Sequence, residues 1–229
     1  MDIKGLQKLS LLDFKGYLAA TIFTGGCNFS CPFCHNKSLV LHPNDLSNIS
    51  EDEIFSFLKS RYGKLEAVCI TGGEPTLQHD LTSFIHNVKN LGYKVKLDTN
   101  GSNPNILKEL LDYNLLDYVA MDIKNTRKKY PVTTNSALSL DAIDYSISLI
   151  MSSPVSYEFR TTVVKELHTK EDIKTISQRI AGASAYYLQP YIQSPGVINP
   201  VYTSYTKKEL QILLHIATPY VKKCAIIGI

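Results

Sequence analysis

Three cysteines stand close together in the stretch GGCNFSCPFCHN, at residues 25–36. Cys27, Cys31 and Cys34 have the spacing C-x₃-C-x₂-C, behind a pair of glycines. A structural zinc ion normally takes four protein ligands, and a 4Fe–4S cluster binds one thiolate at each iron. Three thiolates would therefore leave one iron of such a cluster without a protein ligand. Because an open metal position can bind a substrate group, the spacing predicts a reactive cluster.

Two other interpretations of the cysteines are open. The first is a structural zinc ion with His35 as fourth ligand. Cys34 and His35 are adjacent, which strains a tetrahedral chelate, and no further cysteine or histidine pair stands at finger-like spacing. The second is a non-catalytic iron–sulfur electron carrier, which would need none of the motifs described below. The spacing favours a cluster over zinc.

The elements that must position these cysteines alternate along the chain. Short apolar runs predict strands at 17–23, 66–71, 93–99, 117–123, 156–164, 185–191 and 224–229. Capping residues and helical periodicity predict helices between them, after Ser50, Asn103, Thr169 and Thr206 and over 79–91 and 137–151. Six strand–helix units and a last strand predict a parallel α/β sheet with outer helices, an open partial (βα)₆ barrel. We expect a single domain over 1–229.

Polar and glycine-bearing stretches follow the predicted strands. The cysteine loop follows the first strand, TGGEP (71–75) the second, DTNG (98–101) the third and MDIKN (121–125) the fourth. Arg160 and Gln189 lie within the fifth and sixth strands. The carboxyl ends of parallel strands form one rim, where ligands bind. The sequence therefore predicts a single site at this rim.

These motifs, in this order, resemble those of the radical S-adenosylmethionine (radical SAM) superfamily. Within it, LLDFKGYLAATIFTGGCNFSCPFCHN with TGGEP, DTNG and MDIKN is similar to glycyl-radical-enzyme activases, most of all those of the anaerobic (class III) ribonucleotide reductase. The resemblance implies one 4Fe–4S cluster on the three cysteines, with SAM on the open iron. It also implies reductive cleavage of SAM to a 5′-deoxyadenosyl radical, which removes a hydrogen atom from a glycine of a partner enzyme.

The resemblance also implies which rim residues contact SAM. Glu74 is expected to accept hydrogen bonds from the methionine ammonium group, and Lys124 to reach the carboxylate. Gly72 and Gly73 are expected to let the backbone approach the ligand closely. The other residues expected at the SAM site are Phe33, His35, Asp98, Asp122 and Gln189.

The two aspartates raise a question of charge. Asp98 and Asp122 end neighbouring predicted strands, so their carboxylates should lie close together and need a cation or a donor between them. The resemblance to the pyruvate formate-lyase activator implies a monovalent cation there. A plain salt bridge between Asp122 and Lys124 is the alternative.

Other residues keep two interpretations. His35 either contacts SAM or orients the cysteine loop, and Phe33 packs near the cluster or the adenine. Gln189 stands in YLQPYIQ, where the pyruvate formate-lyase activator has a histidine, which weakens that assignment. Cys69 and Cys224 are expected in the core, and the other histidines, including His168, at the surface or in helix caps.

The partner is open on sequence alone. The alternatives to the anaerobic reductase are pyruvate formate-lyase, another glycyl radical enzyme, or a small substrate, as in the deazaguanine synthases. A one-electron reductant such as flavodoxin or ferredoxin is implied. The basic stretch KNTRKKYP (124–131) is interpreted first as a solvated loop and second as a docking surface.

Composition excludes other classes of function. The formal charge of +3 over 229 residues does not favour nucleic-acid binding. The N-terminus has no apolar segment typical of a signal peptide, and no apolar run approaches the ~20 residues that span a bilayer. We therefore expect no nucleic acid, no membrane and a cytoplasmic location.

Overall fold

In the computed structural model, which describes residues 1–228, one sheet carries the fold. Within these residues its eight strands lie side by side in chain order: β1 (Ile3–Ser10), β2 (Ala19–Thr24), β3 (Ala67–Gly72), β4 (Lys94–Thr99), β5 (Tyr118–Asp122), β6 (Ser156–Val163), β7 (Tyr186–Pro190) and β8 (Cys224–Ile226). Strands β2 to β8 are parallel, and β1 is antiparallel to β2. Because β1 and β8 are at opposite edges, the sheet is open, and the predicted α/β fold class is confirmed.

Helices follow the parallel strands. Within residues 1–228 the α-helices are α1 (Lys37–Leu41), α2 (Glu51–Ser60), α3 (Leu81–Asn90), α4 (Pro104–Asp112), α5 (Tyr130–Thr134), α6 (Leu140–Ser152), α7 (Lys170–Arg179) and α8 (Lys207–Ala217). None of them is long and apolar enough to cross a membrane. The single domain over 1–229 stays a prediction, and Ile229, predicted to end the last strand, lies outside the described residues.

The sequence patterns did not predict the edge strand β1 or the short helices α1 and α5. Strand β1 mixes polar and apolar residues because only part of it is buried, and it has no continuous apolar run. Helices α1 and α5 have five residues each, too few to show helical periodicity. The capping boxes predicted at Thr169 and Thr206 are present. At Ser50, among the described residues, only the forward bond from the Glu53 N–H at 3.2 Å is formed.

The hydrophobic core lies between the sheet and its helices. Val68, Leu97 and Val119 of the strands are fully buried there, together with Phe84 of α3 and Leu110 of α4. Burying side chains of this size stabilises the fold by about 1.5–3 kcal/mol each. Alternate strand residues point to the opposite face of the sheet, where they form a second set of side chains.

On that face, polar side chains near the amino ends of the strands bond to the turn between β1 and β2. Lys96 Nζ donates to the carbonyl of Asp13 at 2.5 Å, and Thr21 Oγ1 donates to the Asp13 carboxylate at 2.5 Å. Phe14 is buried at the foot of the strands against Ala19. The turn therefore blocks the amino ends of the strands and leaves the carboxyl ends open.

Candidate active site at the carboxyl rim

A cavity of about 220 Å³ opens at the carboxyl ends of the parallel strands. All of the residues predicted for the site line it: Cys27, Cys31, Phe33, Cys34, His35, Gly72, Gly73, Glu74, Asp98, Asp122, Lys124 and Gln189. The fold thus brings together side chains from the first to the last βα unit, as the predicted rim requires. Their individual roles toward a cluster or SAM stay predictions.

The cysteine loop, residues 25–36, is held by backbone hydrogen bonds on two sides. The Ser30 N–H donates to the carbonyl of Thr134, at the end of α5, at 3.0 Å. On the other side the Ile198 N–H, in the segment between β7 and α8, donates to the Cys34 carbonyl at 3.1 Å. The loop is therefore anchored by elements more than a hundred residues further along the chain.

Cys31 is buried, Cys27 and Cys34 are half-buried, and two of the sulfurs face backbone N–H donors. The Phe29 N–H is 3.4 Å from Cys27 Sγ, and the Asn36 N–H is 3.4 Å from Cys34 Sγ. Burial raises the pKa of Cys27 to about 11 and that of Cys31 to about 12. Without a metal these thiols are protonated at neutral pH, so metal binding must displace their protons. Donors aimed at sulfur suit thiolates that hold a cluster.

The zinc interpretation gains no support. Among residues 1–228 no three His, Cys, Asp or Glu side chains form a group that could hold one metal ion. His35 is exposed, and its Nε2 lies 2.6 Å from the Ile192 carbonyl. A 4Fe–4S cluster binds each thiolate at a different iron, so it does not require the sulfurs to converge on one point. The cysteines fit a cluster. His35 contacts the Ile192 carbonyl and also lines the cavity, so a SAM contact and loop orientation both stay predictions for it.

Gly72 and Gly73 bring the loop after β3 against the cysteine loop. The Gly73 N–H donates to the Thr24 carbonyl at 2.9 Å, and the Glu74 N–H donates to the Gly26 carbonyl at 2.8 Å. A Cβ on Gly73 would stand 1.8 Å from the Gly26 oxygen, and Gly72 has a φ of +115°. Both glycines therefore allow two backbones to touch. The close approach predicted here is made to the chain itself.

Glu74 is a buried carboxylate that joins two loops. It is 1% exposed. Its Oε1 accepts from Thr76 Oγ1 at 2.6 Å and from Thr99 Oγ1 at 2.7 Å, and its Oε2 accepts from the Asn100 N–H at 2.6 Å. Burial raises the pKa of Glu74 although these bonds favour its charged form. The side chain braces the GGEP loop against the DTNG turn, and the predicted contact with SAM stays a prediction.

Arg160 lies between the two carboxylates that end β4 and β5. Its Nε donates to Asp122 Oδ1 at 3.0 Å, and its Nη2 is 3.3 Å from Asp98 Oδ2. Lys96 Nζ is 2.8 Å from Asp98 Oδ1, and Lys124 Nζ is 2.8 Å from Asp122 Oδ2. The predicted proximity of the carboxylates is confirmed, and a guanidinium group supplies the charge between them.

The charge balance bears on two expectations. Burial disfavours the charged form of Asp122, but Lys124 and Arg160 outweigh it and hold the pKa of that carboxyl well below its usual range. The salt bridge between Asp122 and Lys124, which was the alternative interpretation, is present in the structure. Arg160 provides positive charge between the two carboxylates, and the monovalent cation stays a prediction.

His168 is placed differently from the prediction of a surface or cap residue. It is fully buried, and its Nδ1 accepts from the Val164 N–H at 3.1 Å. Nε2 must then carry the proton, and it donates to the Lys124 carbonyl at 2.8 Å. The ring centroid is 6.4 Å from that of Phe33 in an edge-on contact. His168 therefore positions both the loop that carries Lys124 and the aromatic ring of the cysteine loop.

We predict that His168 makes the apoprotein sensitive to acid. Burial lowers its pKa from 6.5 in the folded state. At pH values between this lowered pKa and about 6.5, the histidine binds more protons in the unfolded chain than in the folded one. The free energy of unfolding should therefore be at its full value above pH 6.5 and fall below it, by at most about 1.4 kcal/mol per pH unit. Urea unfolding between pH 5 and 7.5 measures this slope.

The control for this prediction is a histidine on the surface. His168→Asn should flatten the slope, at some cost in stability at every pH, whereas changing the exposed His86 to Asn should leave it unchanged. An unchanged slope in His168→Asn would contradict the prediction.

The remaining predicted residues are Gln189 and the two cysteines outside the cysteine loop. Gln189 is exposed at the end of β7, at the edge of the cavity. Cys69 is fully buried, as predicted, and Cys224 is only partly buried because β8 is an edge strand. Arg160 is a site residue that the sequence motifs place only at the rim. Its position in a strand beside two predicted carboxylates is the signal that points to it.

The basic stretch 124–131 makes ion pairs within the chain. Arg127 Nη2 is 2.8 Å from Asp141 Oδ1, and Lys129 Nζ is 2.5 Å from Asp172 Oδ2. These partly exposed ion pairs agree with a solvated loop, and docking by this stretch stays the alternative prediction.

The chain is similar to known proteins in sequence and in fold. The family model of the radical SAM superfamily matches residues 21–176. A Methanocaldococcus jannaschii protein provisionally named as a glycyl-radical enzyme activating enzyme is 33% identical over 194 residues, 82% of this chain and 79% of that protein. A Saccharolobus solfataricus protein provisionally named as a GTP 3′,8-cyclase is 31% identical over 161 residues, which cover 67% of this chain and 49% of that protein.

A solved structure bears on the fold. The crystal structure of Streptococcus suis SuiB bound to S-adenosylmethionine superimposes with a TM-score of 0.69 over 88% of this chain, at 16% identity. The chain spans about half the length of that protein, 48%. At this identity the likeness concerns the arrangement of strands and helices.

Proposed function

The chain belongs to the radical SAM superfamily and is an enzyme, and from this premise we propose that it is an activase that generates a glycyl radical on a partner enzyme. One observation supports this choice within the superfamily. The similarity to the M. jannaschii protein, provisionally named as an activating enzyme, extends over 79% of that protein's length, whereas the match to the cyclase covers 49% of the cyclase.

The residues that would hold the family's cofactors are the rim residues already described. Cys27, Cys31 and Cys34 would bind a 4Fe–4S cluster, and Glu74 and Lys124 would bind the polar ends of SAM. When bound, these groups supply a one-electron reduction that produces a radical able to remove a hydrogen atom. The chain's own part is to hold the three thiols at the cavity, to hold the loops together through Glu74 and to keep Lys124 charged beside Asp122.

The form of the cavity supports a substrate that enters from outside. Asp98 and Arg160 line the cavity and pair with each other, and Lys96, which does not line it, pairs with Asp98. The space that remains lies beside the cysteines, at the open carboxyl ends of the strands. A glycine on a protruding protein loop can reach such a position. We propose the anaerobic class III ribonucleotide reductase as partner, on the motif resemblance of residues 11–36, with a flavodoxin or ferredoxin as reductant.

The experiment that tests this function is anaerobic activation. Reduced, cluster-loaded protein is incubated with SAM and a class III reductase, and electron paramagnetic resonance records the doublet of a glycyl radical. The matched control is Cys31→Ser under the same conditions. We expect the doublet with the wild type alone. Cleavage of SAM without any glycyl radical on this reductase or on pyruvate formate-lyase would overturn the proposal.

A nucleotide substrate is the second candidate. It is favoured by the 31% identity to the provisionally named GTP 3′,8-cyclase over 67% of this chain. Incubation of the reduced protein with SAM and GTP, followed by mass spectrometry of the nucleotide, separates the two functions. A new nucleotide product without glycyl radical formation would support the second candidate.

We predict that Glu74→Ala lowers SAM affinity about tenfold or more, because a charged hydrogen bond contributes roughly 1.5–3 kcal/mol. The change should also destabilise the protein, since the donors on Thr76, Thr99 and Asn100 lose their acceptor. Isothermal titration of cluster-loaded protein measures the affinity, and urea unfolding measures the stability. Thr76→Ala removes a bracing contact without removing the carboxylate, and it serves as control. Wild-type affinity in Glu74→Ala would contradict the SAM contact.

A further inference from the structure

Asn100 reaches the cysteine loop from the turn after β4. Its Nδ2 is 3.8 Å from Cys27 Sγ, 73 residues away in the chain, and 2.9 Å from Asn28 Oδ1. The residue is 6% exposed and lines the same cavity as the cysteines. A side-chain donor from a different βα unit therefore faces the sulfur of a predicted cluster ligand.

The orientation of this amide is set by its other bonds. The Asn100 backbone N–H donates to the buried Oε2 of Glu74 at 2.6 Å. Its Oδ1 accepts from the Ser102 N–H at 2.8 Å, which identifies the other terminal atom as the NH₂ group. A flipped amide would place Oδ1 against Asn28 Oδ1 and lose the Ser102 bond. The Asn100 Nδ2 donor is thus directed at Cys27 Sγ by two hydrogen bonds that do not involve the sulfur, those of the Asn100 backbone N–H and of Oδ1.

A hydrogen bond to a ligand sulfur favours negative charge on a cluster. Reduction adds one electron, so donors near the sulfurs stabilise the reduced form, and hydrogen bonds to sulfur are among the factors that set the potentials of such clusters. Cys27 Sγ also faces the Phe29 N–H, which any residue at 29 except proline would supply. The Asn100 donor depends on the side chain, so a substitution can remove it.

We infer that Asn100 is a positioning residue for Cys27: it holds the cysteine loop and donates a hydrogen bond to the sulfur, which raises the reduction potential of the bound cluster. The inference rests on the family's 4Fe–4S cluster and not on the partner proposed above. Asn100 of the DTNG motif would thus contact the cluster site in addition to the three cysteines.

The test is a redox titration of variants. Asn100→Asp keeps the oxygen that accepts from Ser102 and the backbone bond to Glu74, and it replaces the donor by an oxygen. Asn100→Ala removes the side chain. Ser102→Ala is the matched control, because it removes the hydroxyl that accepts from Asn28 Nδ2 and leaves the Asn100 amide in place. The midpoint potential of each loaded protein is measured without SAM, together with iron content and circular dichroism.

We expect reduction to become about three- to tenfold less favourable in both Asn100 variants, which for one electron is about 28 to 59 mV to lower potential. Ser102→Ala should keep the wild-type potential. A folded Asn100 variant that fails to load iron, where Ser102→Ala loads fully, would support the positioning of Cys27. Fully loaded Asn100 variants with the wild-type potential would overturn the inference. Because no partner enzyme is used, this result is independent of whether glycyl radical formation is observed.

Discussion

Single changes of Cys27, Cys31 and Cys34 to Ser are expected to abolish cluster binding. Each thiolate would supply one of only three protein ligands, and a hydroxyl group is a poor substitute because it stays protonated at neutral pH. Iron and sulfide analysis after anaerobic reconstitution should fall from roughly four irons per chain to near zero in each variant. Loss of the cluster should also remove the SAM-dependent chemistry.

The other two cysteines provide the matched controls. Cys69 is fully buried in β3 and Cys224 partly buried in β8, and neither lines the cavity. Cys69→Ser and Cys224→Ser should keep the full cluster, although a buried hydroxyl at 69 costs about 1–3 kcal/mol of stability. Normal iron content in Cys31→Ser would show that the cysteine loop is not the cluster site.

The Gly73→Ala substitution, which adds one methyl group, should cause the second largest effect, a loss of folding stability. The new Cβ would stand 1.8 Å from the Gly26 carbonyl oxygen, and both atoms belong to backbones that cannot rotate away. Separating them breaks the bonds from Gly73 to Thr24 and from Glu74 to Gly26. Overpacking costs about 1–3 kcal/mol and each lost hydrogen bond about 1 kcal/mol, so we expect a loss of about 3–5 kcal/mol. Urea unfolding of the apoprotein measures it.

The displaced loop should also fail to bind iron, since Gly26 directly precedes Cys27. Gly5→Ala in β1 is the control, because the nearest atom to its Cβ is a Phe23 side-chain carbon at 3.3 Å. That change should alter stability by less than about 1 kcal/mol. Gly73→Ala with wild-type stability and full iron content would refute the role of this backbone contact.

The grouping of the three cysteines and the order of most elements were accessible from the sequence because their signals are local. A strand buried on both faces shows as a short apolar run, and the Thr169 cap as a pair of residues three positions apart. The spacing of Cys27, Cys31 and Cys34 lies within eight residues. Once the strands are parallel, their carboxyl ends must meet at one rim, and so the predicted residues share one cavity.

The tertiary structure alone decided which groups pair at that rim. Arg160 stands between Asp98 and Asp122, His168 supports Lys124, and Asn100 faces Cys27. These partners lie on different elements, so no periodicity or spacing in the chain reports them. They depend on the register of neighbouring strands and on how far each loop folds over the rim, and both are set by the packing of the whole sheet against its helices. Short-range patterns thus predicted most of the elements and the residues of the rim, and packing determined the surroundings of each charge.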